Sequence, residues 1–176
     1  MPSTSNLKQQ ERNWLDLPSD VMTYILNKVG VVDVLENAQK VCTAWHKVCK
    51  NPAMWKVINM NNLSSSTAKI SRADLCKHVV DRSQGLLVDV TLIYDVNAEL
   101  FLYVADRSSQ VSRLEMVTGF LCGSLTTDAL MKFPLLEELN LYSQIISKEE
   151  IETVGRYWPM LKTLKVNDKV PILGEV

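Results

Sequence analysis

Leu136-Glu137-Glu138-Leu139-Asn140-Leu141 reads L-x-x-L-x-L, and the chain carries that pattern four times. The others are Leu87, Val90, Leu92; Val111, Leu114, Met116; and Leu161, Leu164, Val166. Their central residues, 90, 114, 139 and 164, stand 24, 25 and 25 positions apart. Pro134 and Pro159 each precede a motif by two places, and Asp81-Arg82-Ser83 returns 25 residues later as Asp106-Arg107-Ser108. An ordinary α/β domain does not demand a fixed step. A fixed step demands a repeated strand-and-return unit.

That period and pattern are the leucine-rich-repeat signature. The expected fold class is α+β, with the second half a short right-handed solenoid of parallel strands. Alternate residues of each strand point inward, so Leu114, Leu139 and Leu164 are expected in a shared core. The returns carry their own apolar sides: Leu100, Phe101 and Val104; Leu125, Ala129 and Phe133; Ile151, Val154 and Trp158. Ser147 with Glu150 has capping-box spacing at the head of the third return. The intervening strand residues point out of the core. Among Asp89, Thr91, Ile93, Arg113, Glu115, Val117, Glu138, Asn140, Tyr142, Thr163, Lys165 and Asn167, the candidates to face a substrate are Thr91, Arg113, Glu115, Glu138, Asn140, Tyr142, Thr163 and Lys165. This polar face with one aromatic suits a protein partner. Leu164, in the last motif, is expected to be less covered than Leu139, since a terminal repeat has one neighbour.

The first third is helical by spacing. Pro18 opens an apolar pattern at a position that needs no N–H. Val21, Met22, Ile25, Leu26 and Val29 make one stripe, and Gly30 is a stop. A second helix is expected from Asp33, capped by its carboxylate with Glu36 three residues on. It runs through Leu35, Ala38, Val41, Cys42, Trp45, Val48 and Cys49 to Asn51-Pro52. Another turn carries Met54 and Trp55, and Val57-Ile58 with Met60 reads as a short extended exit. Residues 61–66 are a linker by composition. A further helix is expected over 67–82, with Ile70, Ala73, Cys76, Val79 and Val80 on one side. The expected division is a disordered arm at 1–12, a helical unit at 13–60, linker and capping helix at 61–84, and repeats at 85–176.

Composition excludes several functions. The 176 residues are 47% hydrophobic, with 19 basic and 20 acidic side chains. Residues 1–60 hold 7 basic and 5 acidic groups, and residues 61–176 hold 12 and 15. Neither part has the basic field of a nucleic-acid binder. No apolar run reaches the ~18 residues of a membrane span, and residues 1–13 lack the apolar core of a signal peptide. A cytoplasmic or nuclear location is expected. Cys42, Cys49, Cys76 and Cys122 form no C-x-x-C pair and read as free thiols. Cys42, His46 and Cys49, with Cys76 and His78, have offsets from which zinc ligands could be drawn, but the cysteines sit on an apolar stripe where a thiol packs as a small hydrophobe. No catalytic constellation, phosphate loop or dinucleotide fingerprint is visible. No enzyme, metal or cofactor is expected.

Residues 13–60 resemble an F-box. The match runs through Leu17-Pro18, Asp20, Ile25-Leu26, Val29, Val41-Cys42, Trp45, Val48 and Trp55, in the order L-P-x-D, I-L, V-C-x-x-W and N-P-x-x-W. With the repeats, and with residues 36–42, 80–85 and 105–109, the chain is similar to plant F-box/leucine-rich-repeat proteins. The resemblance covers residue 13 to about residue 167. It implies a non-catalytic substrate receptor of a Skp–cullin–F-box ubiquitin ligase. The F-box would bind a Skp-type adaptor, and through it cullin, and the repeats would bind an unknown target. Adaptor-binding positions implied by the match are Leu17, Pro18, Ile25, Leu26, Val29, Leu35, Val41, Trp45 and Trp55, in contact or in direct support. The alternative is a protein-binding module or adaptor-binding decoy with no substrate of its own.

Overall fold

A computed structural model describes residues 17–61, 71–93, 96–117, 127–142 and 148–167. The order is α1 (Ser19–Val29), α2 (Val31–Glu36), α3 (Thr43–Lys50), β1 (Val57–Asn59), α4 (Arg72–Ser83), β2 (Asp89–Ile93), α5 (Ala98–Arg107), β3 (Arg113–Val117), α6 (Thr127–Leu130), β4 (Glu138–Tyr142), α7 (Lys148–Tyr157) and β5 (Thr163–Asn167). Short 3-10 segments cover Ala38–Lys40 and Pro52–Lys56. Among the described residues no helix is long and apolar enough to cross a membrane.

Local chemistry sets the helix ends. The Pro18 carbonyl accepts the Met22 N–H at 3.0 Å, so the proline sits just outside α1. Gly30 has φ +100°, a value that strains any residue with a Cβ, and it turns α1 directly into α2. Asp33 therefore caps nothing. It lies inside α2, where its Oδ1 accepts from Asn37 Nδ2 at 2.9 Å. The single helix expected from 33 to 49 is divided in three. Asn37 leaves helical geometry, and Cys42 is fully extended at φ −160° before α3 starts. The 3-10 turn between them keeps apolar residues at offsets of three and four, which is why the break is invisible to periodicity. Asn51, Ser71 and Asn97 are side-chain caps, accepting from the N–H groups of Ala53, Asp74 and Leu100 at 2.8–3.0 Å. Helix α4 begins after Ser71; residues 67–70, including Ile70, lie outside the described residues, as do Ser147, Leu125 and Cys122.

The five strands form one parallel sheet in the order β1-β2-β3-β4-β5. Ile58, Val90, Leu114, Leu139 and Leu164 are register partners in one row, and Leu92, Met116, Leu141 and Val166 in the next. The sequence steps of 24 and 25 thus reappear as ladder register. The segment at Val57, expected only as an exit, is instead the first strand of the sheet. Ile58 fills the same row from a different step, 32 residues before Val90, so no repeat pattern flagged it.

Helices α4, α5 and α6 follow one another along the sheet, and α7 follows them. Between them and the strands lies one continuous core. The rings of Phe101 and Phe133 meet at 5.6 Å between centroids, and the Trp158 Nε1–H donates to the Leu130 carbonyl at 2.7 Å. The core thins at β5. Leu114 and Leu139 are fully buried, but Leu164 is 37% exposed and Val166 is 45% exposed. Leu164 departs from the expectation of burial, because among the described residues no strand lies beyond it. Ile151 is also exposed, while Val154 and Trp158 of the same return are buried.

Candidate functional site

Two surfaces carry the candidate residues. The first is built on α1–α3. Helix α1 is apolar over about 200° of arc, more than a helix packed on one side needs. Met22 and Leu26 face inward and are buried. Val21, Tyr24 and Val29 remain exposed, with the Lys28 ammonium 5.3 Å from the Tyr24 ring centroid. Val41, between the 3-10 turn and α3, is 62% exposed. Pro18 is exposed, and Leu17, Ile25 and Trp45 are half-buried. These can meet a partner directly.

Leu26, Leu35 and Trp55 offer a partner little surface, because all three are buried among the described residues. Trp55 donates its Nε1–H to the Cys49 carbonyl at 2.9 Å. Arg82 of α4 packs on the same ring, 5.6 Å from its centroid, and donates to the Cys49 carbonyl at 3.4 Å and to Gln39 Oε1 at 3.2 Å. These three residues support the exposed face rather than form it. Val21 and Tyr24 belong to that face and were not among the sequence candidates. The signal that could have found them was the excess apolar arc of α1.

His46 and His78 are exposed; Gln39 O lies 3.0 Å from His46 Nδ1, and His78 Nε2 accepts from Arg82. Cys49 and Cys76 are buried and Cys42 is half-buried. Burial pushes the Cys76 thiol up to about 12 and also raises Cys49, partly offset by the Arg82 charge. Both are poor nucleophiles as placed. A groove of about 580 Å³ lies where α1 and α2 meet β1, lined by Lys28, Trp55 and Asn59 among others.

The second surface is the sheet face opposite the helices. Register aligns Asp89, Arg113, Glu138 and Thr163 in one row and Thr91, Glu115, Asn140 and Lys165 in the next. Arg113 is the hub. Its guanidinium lies 2.8 Å from Asp89, 2.7 Å from Glu115 and 3.7 Å from Glu138. Burial pulls the Arg113 pKa down, but the three carboxylates outweigh it and hold it up. Burial raises Asp89 despite its bond to Arg113. The hydrogen bond from Lys165, at 3.1 Å, lowers Glu138.

Outward direction does not mean exposure here. Thr91, Glu115 and Asn140 are all buried, Asn140 to 4%. Asn140 Nδ2 lies 3.2 Å from Glu138 Oε1, and its own Oδ1 has no partner among the described residues. Arg113, Glu138, Tyr142 and Thr163 are half-buried, and Lys165 is exposed. The side chains of Ile93 and Val117 lie outside the described residues. The accessible part of the face is therefore its β4–β5 side, and the β2–β3 side is a self-satisfied ion-pair network.

The model of the F-box domain matches residues 14–57. F-box/LRR-repeat protein 23 of Arabidopsis thaliana is 40% identical over 169 residues, which is 94% of this chain and 38% of the relative. F-box protein SKIP19 of the same plant is 40% identical over 90% of this chain and 53% of its own length. F-box/LRR-repeat protein 9, also from Arabidopsis thaliana, is 39% identical over 89% of this chain and 66% of its own length. The chain thus spans between about a third and two thirds of these relatives.

Proposed function

We propose, since this chain belongs to the plant F-box proteins, that it is the substrate-recognition subunit of a Skp–cullin–F-box ubiquitin ligase and catalyses nothing itself. F-box proteins are in general non-catalytic receptors, and the F-box implies a Skp-type adaptor as partner. The observation that carries the reading is the exposed apolar face within residues 14–57. Val21, Tyr24, Val29 and Val41 are exposed and stand outside the core of the described residues. Large apolar side chains grouped on one surface mark a protein contact.

In this reading residues 13–60 are the adaptor module and residues 61–84 the connector. Residues 85–176 are leucine-rich repeats coiled into a right-handed solenoid. The five-strand parallel sheet with 24- and 25-residue register supports the solenoid. The target would meet the β4–β5 side of the strand face, through Glu138, Tyr142, Thr163 and Lys165. The complex would work in the cytoplasm or nucleus. Co-purification tests it: the chain should capture a Skp-type adaptor and, through it, cullin. Capture of neither would refute it. Adaptor capture without any ubiquitinated target would favour an adaptor-binding decoy.

A further inference from the structure

The strand face holds one polar group whose hydrogen bonding is one-sided. Asn140 is 4% exposed. Its Nδ2 donates to Glu138 Oε1 at 3.2 Å and lies 3.5 Å from Glu115 Oε2. Two carboxylates therefore fix the orientation of the amide, because turning it over would aim an oxygen at both. The Oδ1 end is buried and has no partner among the described residues. What it lacks is a donor, and leaving a buried acceptor unpaired is costly.

Charge says what kind of donor fits. Asp89, Glu115 and Glu138 bring three negative charges to this group, and Arg113 and Lys165 bring two positive ones, a net of −1. The single Arg113 guanidinium is shared among all three carboxylates. Asp89 is held above its ordinary pKa, chiefly by burial, with the charges of Glu115 and Glu138 adding to it. The group is therefore short of positive charge as well as of one N–H. Lys165 does not fill the gap. It is the register partner of Asn140, but its Nζ sits 3.1 Å from Glu138 Oε1 and its side chain is 57% exposed. An exposed side chain of that length changes rotamer readily.

We propose that Asn140 and Glu138, backed by Glu115, form a subsite for an arginine side chain of the target protein. The Asn140 amide and the Glu138 carboxylate lie side by side. A forked guanidinium bridges such a pair with two of its N–H groups. Its charge takes the net −1 of the group to zero, and Asn140 gains the donor it lacks. Lys165 swings aside as the guanidinium enters. A lysine ammonium is a point charge without the planar fork and fits less well. A neutral donor would complete the hydrogen bond and leave the charge uncompensated. The assignment rests on the reading of the strand face as the target surface, and it does not depend on adaptor binding.

Nuclear magnetic resonance of the full 176-residue chain, read at the Asn140 side-chain NH2 signals, tests this with Nα-acetyl-arginine amide as the probe at constant ionic strength. The signals should shift saturably, with half-saturation on the order of 1–10 mM for so small a ligand. The citrulline analogue keeps the shape and loses the charge, and it should leave them in place. Glu138→Gln should weaken the arginine response about tenfold, the loss of one charge-assisted contact. Lys165→Met should strengthen it about threefold, by removing a like charge beside the site. No saturable shift, an equal shift with citrulline, or tighter binding of Nα-acetyl-lysine amide would overturn the proposal. So would a Glu138→Gln chain that binds arginine as well as the parent, or a Lys165→Met chain that binds it more weakly. Adaptor capture by the same preparation keeps the two readings apart. Capture without arginine binding removes the subsite alone, and arginine binding without capture removes the ligase reading and leaves the subsite standing.

Discussion

Replacing Trp55 by Phe separates support from contact. Trp55 is 3% exposed, so it offers a partner almost no surface. The change deletes the indole N–H that bonds the Cys49 carbonyl at 2.9 Å. That carbonyl keeps only the longer contact from Arg82, 3.4 Å away. Leaving a buried acceptor poorly paired costs about 1–3 kcal/mol. The smaller ring also leaves a void, and it weakens the stacking of the Arg82 guanidinium, since tryptophan is the best partner for a cation. Together these give about 2–4 kcal/mol, within the range of large-to-small core changes. Urea unfolding followed by far-ultraviolet circular dichroism reads the loss as a lower midpoint at constant slope. Adaptor affinity, measured well below the midpoint, should change little. A variant of unaltered stability that loses adaptor affinity would refute the argument and place the indole in the interface.

Leu139→Ala should destabilise by about 2–5 kcal/mol in the same assay, because Leu139 is fully buried between the register partners Leu114 and Leu164. Arg113→Leu should lower stability by about 1–3 kcal/mol at pH 7 and by less as the pH falls, since protonating Asp89 relieves the carboxylates it leaves facing one another; a loss that does not change with pH would contradict the hub. Cys76 binds its proton more tightly folded than unfolded, so its contribution is complete below pH 9 and falls as pH rises from 9 towards 12. In quenched alkylation of the native chain at pH 8, read by mass spectrometry, half-buried Cys42 should label before Cys49 and Cys76.

Two kinds of information were legible in the sequence to different degrees. The 24- and 25-residue steps predicted strand register because each strand's place in a repeat is fixed by its neighbours. Three of the returns' core positions, Phe101, Phe133 and Trp158, followed from the same logic and are buried. What periodicity could not show was where helical geometry lapses. The Asn37 break and the extended Cys42 leave the apolar spacing intact. Nor could it show that β1 joins the sheet, since Ile58 stands 32 residues from its partner. In the candidate site, a motif names positions without saying which side they face. Leu26 and Val29 both belong to the stripe, yet one is buried and the other exposed. Arg82 and Arg107 occupy equivalent places in the repeated Asp-Arg-Ser segment. Arg82 nevertheless reaches the Trp55 ring, while Arg107 stacks on Tyr103 at 3.7 Å and pairs with Asp81. Only the tertiary neighbour decides between the two roles.

Calorimetric titration of a Skp-type adaptor into the chain tests most directly whether the exposed face of α1–α3 binds it. The unaltered chain should bind in a one-to-one ratio. Pro18→Ala with Trp45→Ala, two partly accessible positions of that face, should weaken binding by about 2–5 kcal/mol, on the order of two hot-spot losses. The double variant should keep the far-ultraviolet spectrum of the parent. A correctly folded double variant that binds with undiminished affinity would contradict the account.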